Sequence, residues 1–228
     1  MKATTLDENI FHDIGHSFGY YDYKEEHGLV DACPSNDAAA EYICGYAKMA
    51  LQSGMLHTTS KDQEAFIAYK KPGERVGFKA GLILIKAMPN TMKLKGLFHF
   101  DKTLSKSGQS LSKRFDKEKK PYIFVGLVCV REQYQGQGFM RKAMAIAFAE
   151  GERLRIPVIL ETDAKSKCDK YMHLGMELAG TRKFTTSGKQ GTLYDLVKYP
   201  NSQKKTEDEP LKRFYCNLPS TACFSQVS

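Results

Sequence analysis

The run YIFVGLVCV, residues 122–130, contains no charged residue and barely alternates between apolar and polar. A strand of this kind is buried on both faces, as central strands of parallel pairs are. A glycine-bearing turn follows it, and then a helix expected over 138–154, with Phe139, Met140, Ala143, Met144, Ala147 and Phe148 on its apolar side. A second buried strand is expected over 156–162. Two such strands joined through a helix run parallel, in a right-handed crossover. This unit constrains the chain more than any other feature.

The flanking segments add strands of the other kind. Pro34, Ser35, Asn36 and Asp37 are start signals for a helix of about 17 residues that carries Ala38, Ala39, Tyr42, Ile43, Tyr46, Met49 and Ala50 at helical spacing up to Gly54. Strands over 65–69 and 76–87, joined through Lys71, Pro72, Gly73 and Glu74, read as an antiparallel hairpin. Residues 164–174 read as a helix, and 176–184 with 192–199 as a last hairpin around Ser187, Gly188 and Gly191. The predicted fold class is therefore α/β, or α+β in some schemes. It is a mixed, mostly antiparallel sheet flanked by helices, with one parallel pair that separates at the crossover. Residues 1–199 are expected to form a single domain and 200–228 a polar tail; no internal repeat is present.

Charge is unevenly distributed. The net charge is +8, and residues 86–120 alone carry ten Lys and Arg against three Asp and Glu, a surplus of +7. With only Phe98, Phe100 and Phe115 interleaved and no nucleic-acid motif, this segment reads as a solvated face ahead of a basic rim for an anionic ligand, and nucleic acid is not an expected partner. The longest uncharged apolar run is far short of the roughly 18 residues a membrane span needs, and the first residues have no signal-peptide core. A cytoplasmic protein without a membrane partner is the expectation; a homodimer stays open. The six cysteines, at 33, 44, 129, 168, 216 and 223, have neither redox nor zinc spacing, so reduced thiols and no metal are expected.

The turn REQYQGQG, residues 131–138, has the chemistry of an anion cradle. Gly136 and Gly138 let backbone N–H groups converge at a helix N-terminus, where the helix dipole adds positive potential. A P-loop is excluded because Phe139 follows Gly138 where a lysine is required. A dinucleotide fingerprint is excluded because Arg141 occupies the third glycine position and too few strands follow.

QYQGQG, residues 133–138, resembles the Q/R-x-x-G-x-G/A acetyl-CoA loop of the GNAT acyltransferases, and residues 160–178 resemble that family's strand, helix and Y-x-x-L-G-F/M stretch, with Tyr171, Leu174, Gly175 and Met176 in register. Gln135 and the KPY before the strand are similar to the puromycin-acetyltransferase-like subgroup. The likeness covers residues 121–199 and, in strand order, 36–87. It implies a GNAT-like fold, acetyl-CoA as co-substrate and an amine acceptor. It also implies that main-chain groups of Val128, Cys129 and Val130 line the pantetheine and thioester, that the N–H groups of Gln135, Gly136, Gln137, Gly138, Phe139 and Met140 take the pyrophosphate, and that Tyr171 is the general acid. Met140 stands where the family has a small residue, and the family's asparagine before the tyrosine is replaced by Lys165, Ser166 and Lys167.

Acetyl transfer to an amine needs an uncharged nucleophile, a polarised carbonyl and a proton for the leaving thiolate. Glu161 is the best carboxylate for a base, directly or through water, and reads equally well as a structural hydrogen-bonding residue. The expected function is transfer of acetyl to a primary amine of an acceptor, expected to be a small molecule. A catalytically silent acyl-CoA-binding or regulatory module, and a protein lysine or N-terminal acetyltransferase, are the alternatives.

Overall fold

The computed structural model describes residues 1–87, 108–186 and 188–201. Six strands form one sheet in the order β1-β2-β3-β4-β6-β5: β1 Leu56–Thr58, β2 Ala65–Lys70, β3 Ile123–Val130, β4 Val158–Thr162, β5 Glu177–Thr186 and β6 Lys189–Lys198. Every pairing is antiparallel except β3 with β4. Among the described residues six α-helices flank the sheet: α1 Glu8–Gly19, α2 Asn36–Gln52, α3 Phe78–Ala87, α4 Leu111–Lys117, α5 Phe139–Leu154 and α6 Lys165–His173.

Each expected element of the crossover unit forms, as do the helix at Asn36–Gln52 and the final hairpin. Ser35 starts α2 as expected, accepting the N–H of Ala38 at 3.1 Å. The hairpin expected over 65–69 and 76–87 does not form. Its turn is made, with the Glu74 N–H donating to the Lys71 carbonyl at 3.2 Å, but the chain then enters α3 instead of a strand. Phe78, Leu82 and Ile85 recur at helical spacing, and Ala80 is buried, 2% exposed. On its edge away from β3, β2 pairs instead with β1, a three-residue antiparallel strand with too little sequence to signal itself. Helix α1 was also not anticipated, although Ile10, Phe11, Ile14 and Phe18 repeat at helical spacing. It approaches α2 closely at two glycines: a Cβ on Gly15 would lie 2.4 Å from the Ala40 carbonyl oxygen, and one on Gly19 2.4 Å from that of Asn36. Of the basic segment, 88–107 lies outside the described residues, as does the tail 202–228 with Cys216 and Cys223.

The two faces of the sheet have separate cores. Ala143, Met144 and Ala147 of α5 and Cys168 of α6 pack with Ile67, Ile123, Val125, Val158 and Leu160. On the other face Phe11, Ile14, Ala47 and Ala50 of α1 and α2 pack with Phe66, Leu127 and Cys129, and Leu111 and Phe115 of α4 with Ile159 and Val197. In β3, Val125 faces α5 and Leu127, two residues on, faces α1 and α2. The cause is a β-bulge: Tyr69 pairs with Val125 and Ala68 with Leu127, leaving Gly126 as the extra residue. A Cβ on Gly126 would meet the Tyr46 hydroxyl at 2.0 Å, so only glycine fits beneath that ring.

Candidate active site

The bulge opens the sheet. The parallel ladder runs Ile123 with Val158, Phe124 with Ile159 and Val125 with Leu160, and stops there. Beyond it, β3 stays paired to β2 as far as Val130 with Ala65, and β4 stays paired to β6 as far as Thr162 with Tyr194. Along their facing edges Val128, Cys129 and Val130 thus have no ladder partner among the described residues. The cleft between the strands leaves main-chain donors and acceptors for another molecule.

The glycine loop closes one end of this cleft. A 3-10 turn, Glu132–Tyr134, leads into Gln135, and Gly136 and Gly138 both adopt left-handed conformations, φ 75° and 80°. These angles favour glycine. A Cβ at either position would meet nothing within 4 Å, so the space above the loop is open. Gly138 caps α5 without any side-chain hydrogen bond. Among the described residues no acceptor meets the N–H groups of Gly136, Gln137, Gly138, Phe139 or Met140. Five donors at the positive end of a helix dipole thereby fit a phosphate. Gln135 differs from the expectation, because its N–H already donates to the Glu132 carbonyl at 3.1 Å. Its side-chain amide donates to the Val130 carbonyl at 3.4 Å and ties the loop to the strand end.

Tyr171, on α6, is a half-buried side chain packed against the core between α5 and the sheet, the core on which Val128, Val130 and Phe139 also pack. Burial, and then the nearby carboxylate of Asp163, the Cys129 thiol and Tyr21, push its hydroxyl pKa above the ordinary tyrosine value. It is a protonated donor at neutral pH, and the hydroxyl makes no hydrogen bond among the described residues. Burial also pushes the Cys129 thiol up to about 11, against a lowering by Ser17, so it stays a small apolar group.

Glu161 is not brought to Tyr171. Its neighbours in β4 show this: Leu160 packs in the core that Tyr171 adjoins, whereas Ile159, which shares the Glu161 side, packs under α4. The Glu161 carboxylate accepts Arg182 Nη2 at 2.6 Å, while Arg182 also holds Asp195 through Nη2 at 2.9 Å and Nε at 3.1 Å. Arg182 is 8% exposed and Asp195 1%. The Glu161 carboxylate is thus committed to a charge-assisted hydrogen bond within a partly buried ion-pair network.

A set of residues near Tyr171 was not anticipated. The segment 20–27, leaving α1, crosses the N-terminal end of α6. Tyr23 donates to Asp163 Oδ2 at 2.7 Å, Tyr21 bonds Ser166 Oγ at 2.7 Å, and the Glu26 carboxylate accepts the Lys165 N–H at 2.9 and 3.2 Å. Glu26 supplies the cap that Ala164, at the N-cap position, cannot. These partners are about 140 residues apart, so no local pattern signals them; the density of tyrosine in YYDY, 20–23, is the one available hint.

Among the described residues, no group of three or more His, Cys, Asp and Glu is arranged to hold a metal ion, and no helix is long and apolar enough to cross a membrane.

No family profile matches the chain, and no curated protein does. Solved structures do. The chain is similar to histone acetyltransferase HPA2 and related acetyltransferase from Corynebacterium glutamicum, at 12% identity over 88% of this chain and 94% of that one, with a TM-score of 0.55. It is also similar to a Drosophila melanogaster polyamine N-acetyltransferase, an enzyme that catalyses formation of N-acetylagmatine, at 11% identity over 86% and 98%, with a TM-score of 0.51. A shorter alignment, 14% identical with a TM-score of 0.33, joins 36% of this chain to Arabidopsis thaliana NAA60 in complex with a bisubstrate analogue; the chain spans about half of that structure, 51%. The two full-length likenesses establish the fold, the GNAT arrangement of a mixed sheet with one splayed parallel pair.

Proposed function

We propose that the protein is an acetyl-CoA-dependent N-acetyltransferase of the GNAT superfamily, acting in the cytoplasm on a primary amine of a small acceptor. The observation that carries the reading is the cleft itself: β3 and β4 part after Val125 and Leu160, the unpaired amides of 136–140 stand at its mouth, and Tyr171 packs on the same core as Val128 and Val130. The acetyltransferases of the same fold, including one acting on polyamine, support the amine chemistry. Gln135 and the KPY stretch favour the puromycin-acetyltransferase-like subgroup.

Acetyl-CoA supplies the activated acetyl thioester. The amides of Gly136, Gln137, Gly138, Phe139 and Met140 would hold its pyrophosphate, and the open edge of 128–130 would hold the pantetheine in extended form. Orienting the thioester against the amine is itself a large part of catalysis. As the amine nitrogen bonds to the carbonyl carbon and the C–S bond breaks, Tyr171 hands its proton to the departing sulfur; solvent returns one to the phenolate and removes the surplus proton of the amine. The hydroxyl acts where charge develops, in the transition state. Glu161 is assigned to Arg182, as a structural ion pair at the edge of the site. The test is an amine panel with acetyl-CoA, following release of free CoA: turnover of at least one small primary amine supports the reading. Binding of acetyl-CoA without turnover of any amine, peptide or protein would support the silent-module alternative.

A further inference from the structure

We propose that Phe18, Tyr21, Tyr23 and Asp163 form a cation box whose internal occupant, the Lys167 ammonium, locks the segment 20–27 onto the N-terminal end of α6 and thereby positions Tyr171. The catalytic part of this inference rests on the reading of Tyr171 as general acid; the box itself does not.

Lys167 Nζ lies 3.2 Å from Asp163 Oδ1 and 3.3 Å from the Tyr23 hydroxyl oxygen. It also sits over three aromatic faces, 3.9 Å from the Tyr21 centroid, 4.7 Å from that of Tyr23 and 5.8 Å from that of Phe18. The Tyr21 and Tyr23 rings meet edge to face at 78°, so they wall the ammonium on two sides. The side chain is 18% exposed and that of Asp163 10%. An ammonium withdrawn this far from water needs a compensating charge and oriented dipoles, and one carboxylate, one hydroxyl and three ring quadrupoles supply both. A primary ammonium suits the space because it is compact, whereas a planar guanidinium is not.

The box joins parts of the chain that are distant in sequence, alongside the bonds of Tyr21 to Ser166 and of the Lys165 N–H to Glu26. Phe18 ends α1, Tyr21 and Tyr23 belong to the crossing segment, Asp163 follows β4, and Lys167 is on α6. Lys167 and Tyr171 are four residues apart on that helix and therefore lie on one face, a turn from each other. After burial, Asp163 and Tyr21, which contact Lys167, are with Cys129 among the groups that act on the Tyr171 hydroxyl. The chain thus places a fixed cation beside a carboxylate that acts on its candidate acid.

The test uses the full chain with Lys167→Ala, and with Lys167→Met, which keeps the length of the stem and loses the charge. In both, hydrogen exchange at the amides of 20–27 should accelerate while the β2 and β3 amides stay protected. Turnover of the best acceptor should fall at least about tenfold, since small displacements of a positioned group can cost about 10²-fold, while the affinity for acetyl-CoA stays within about twofold of wild type. Propylammonium should restore protection and turnover in Lys167→Ala saturably, with the acetylated acceptor quantified by mass so that acetylated propylamine is not counted. Propanol at the same concentration should not. Unchanged exchange in both variants, or equal restoration by propanol, would overturn the box. Loss of the box with full turnover would overturn the positioning role. If wild type turns over no amine, the functional reading fails, and exchange with its propylammonium dependence still decides the box.

Discussion

The mouth of the cleft is flanked by two regions of opposite character, the glycine loop that follows β3 and the N-terminal end of α6 that follows β4. The loop is contiguous. Its chemistry lies in ten successive residues, 131–140, whose backbone conformation is set by two glycines and whose donors are main-chain amides. The α6 end is assembled by side chains: Tyr23 with Asp163, Tyr21 with Ser166, Glu26 with the Lys165 N–H and Lys167 within three rings. A site made of local backbone tolerates change in its side chains. A site made of distant side chains depends on each partner, and on the packing of α1 against α2 that delivers them.

Four substitutions probe this contrast. Tyr171→Phe has the largest expected effect, a fall in kcat of about 10²- to 10⁴-fold, the usual share of a general acid. Acetyl-CoA affinity should be almost unchanged, because the hydroxyl is needed when sulfur charge develops. Full kcat with a good acceptor would assign the proton to solvent or another group. Next is Gly138→Val. The left-handed conformation resists a β-branched residue by about 1–2 kcal/mol, and the new side chain would project into the open space above the loop. Calorimetry should find acetyl-CoA binding weakened at least about 10²-fold with a modest loss of thermal stability. Unchanged affinity would remove the loop from the binding site.

Glu161→Gln separates an ion pair from a base. With Arg182 still held by Asp195, loss of the Glu161 charge should cost about 1–3 kcal/mol in denaturant unfolding and leave kcat within about fivefold. A drop in kcat of about 10²-fold or more at unchanged stability would restore Glu161 as the base. The smallest effect is expected at the assembled end: Glu26→Ala removes the distant cap of α6 and should cost about 1 kcal/mol. For a chain of this size that lowers Tm by about 2–4 °C, with acetyl-CoA binding unaffected.

The contrast also explains what was legible in the sequence. The crossover unit and the glycine loop were readable because periodicity and turn chemistry are local properties, and so was the separation of the parallel strands, to which the structure adds the bulge at Gly126 as cause. Residues 76–87 misled because VGFKAGLILIKA mixes strand-like residues with a helical repeat, and the chain forms a helix there in which Ala80 is buried while Phe78, Leu82 and Ile85 stay exposed. Glu161 was a sensible base by residue type and strand position. Its commitment to Arg182 depends on the pairing of β4 with β6 and of β6 with β5, which brings together residues 21 positions apart. The role of 20–27 was out of reach, since nothing in YYDY names Asp163 as its partner.

The central claim is that acetyl-CoA lies along the cleft with its pyrophosphate on the loop amides. Hydrogen exchange of the full chain with and without acetyl-CoA measures those amides directly. The account predicts slowed exchange at Gly136, Gln137, Gly138, Phe139 and Met140 and along 128–130, with little change at Gln135, whose N–H already has a partner. Acetyl-CoA that binds while these amides exchange at their free rate, with protection elsewhere on the molecule, would contradict it.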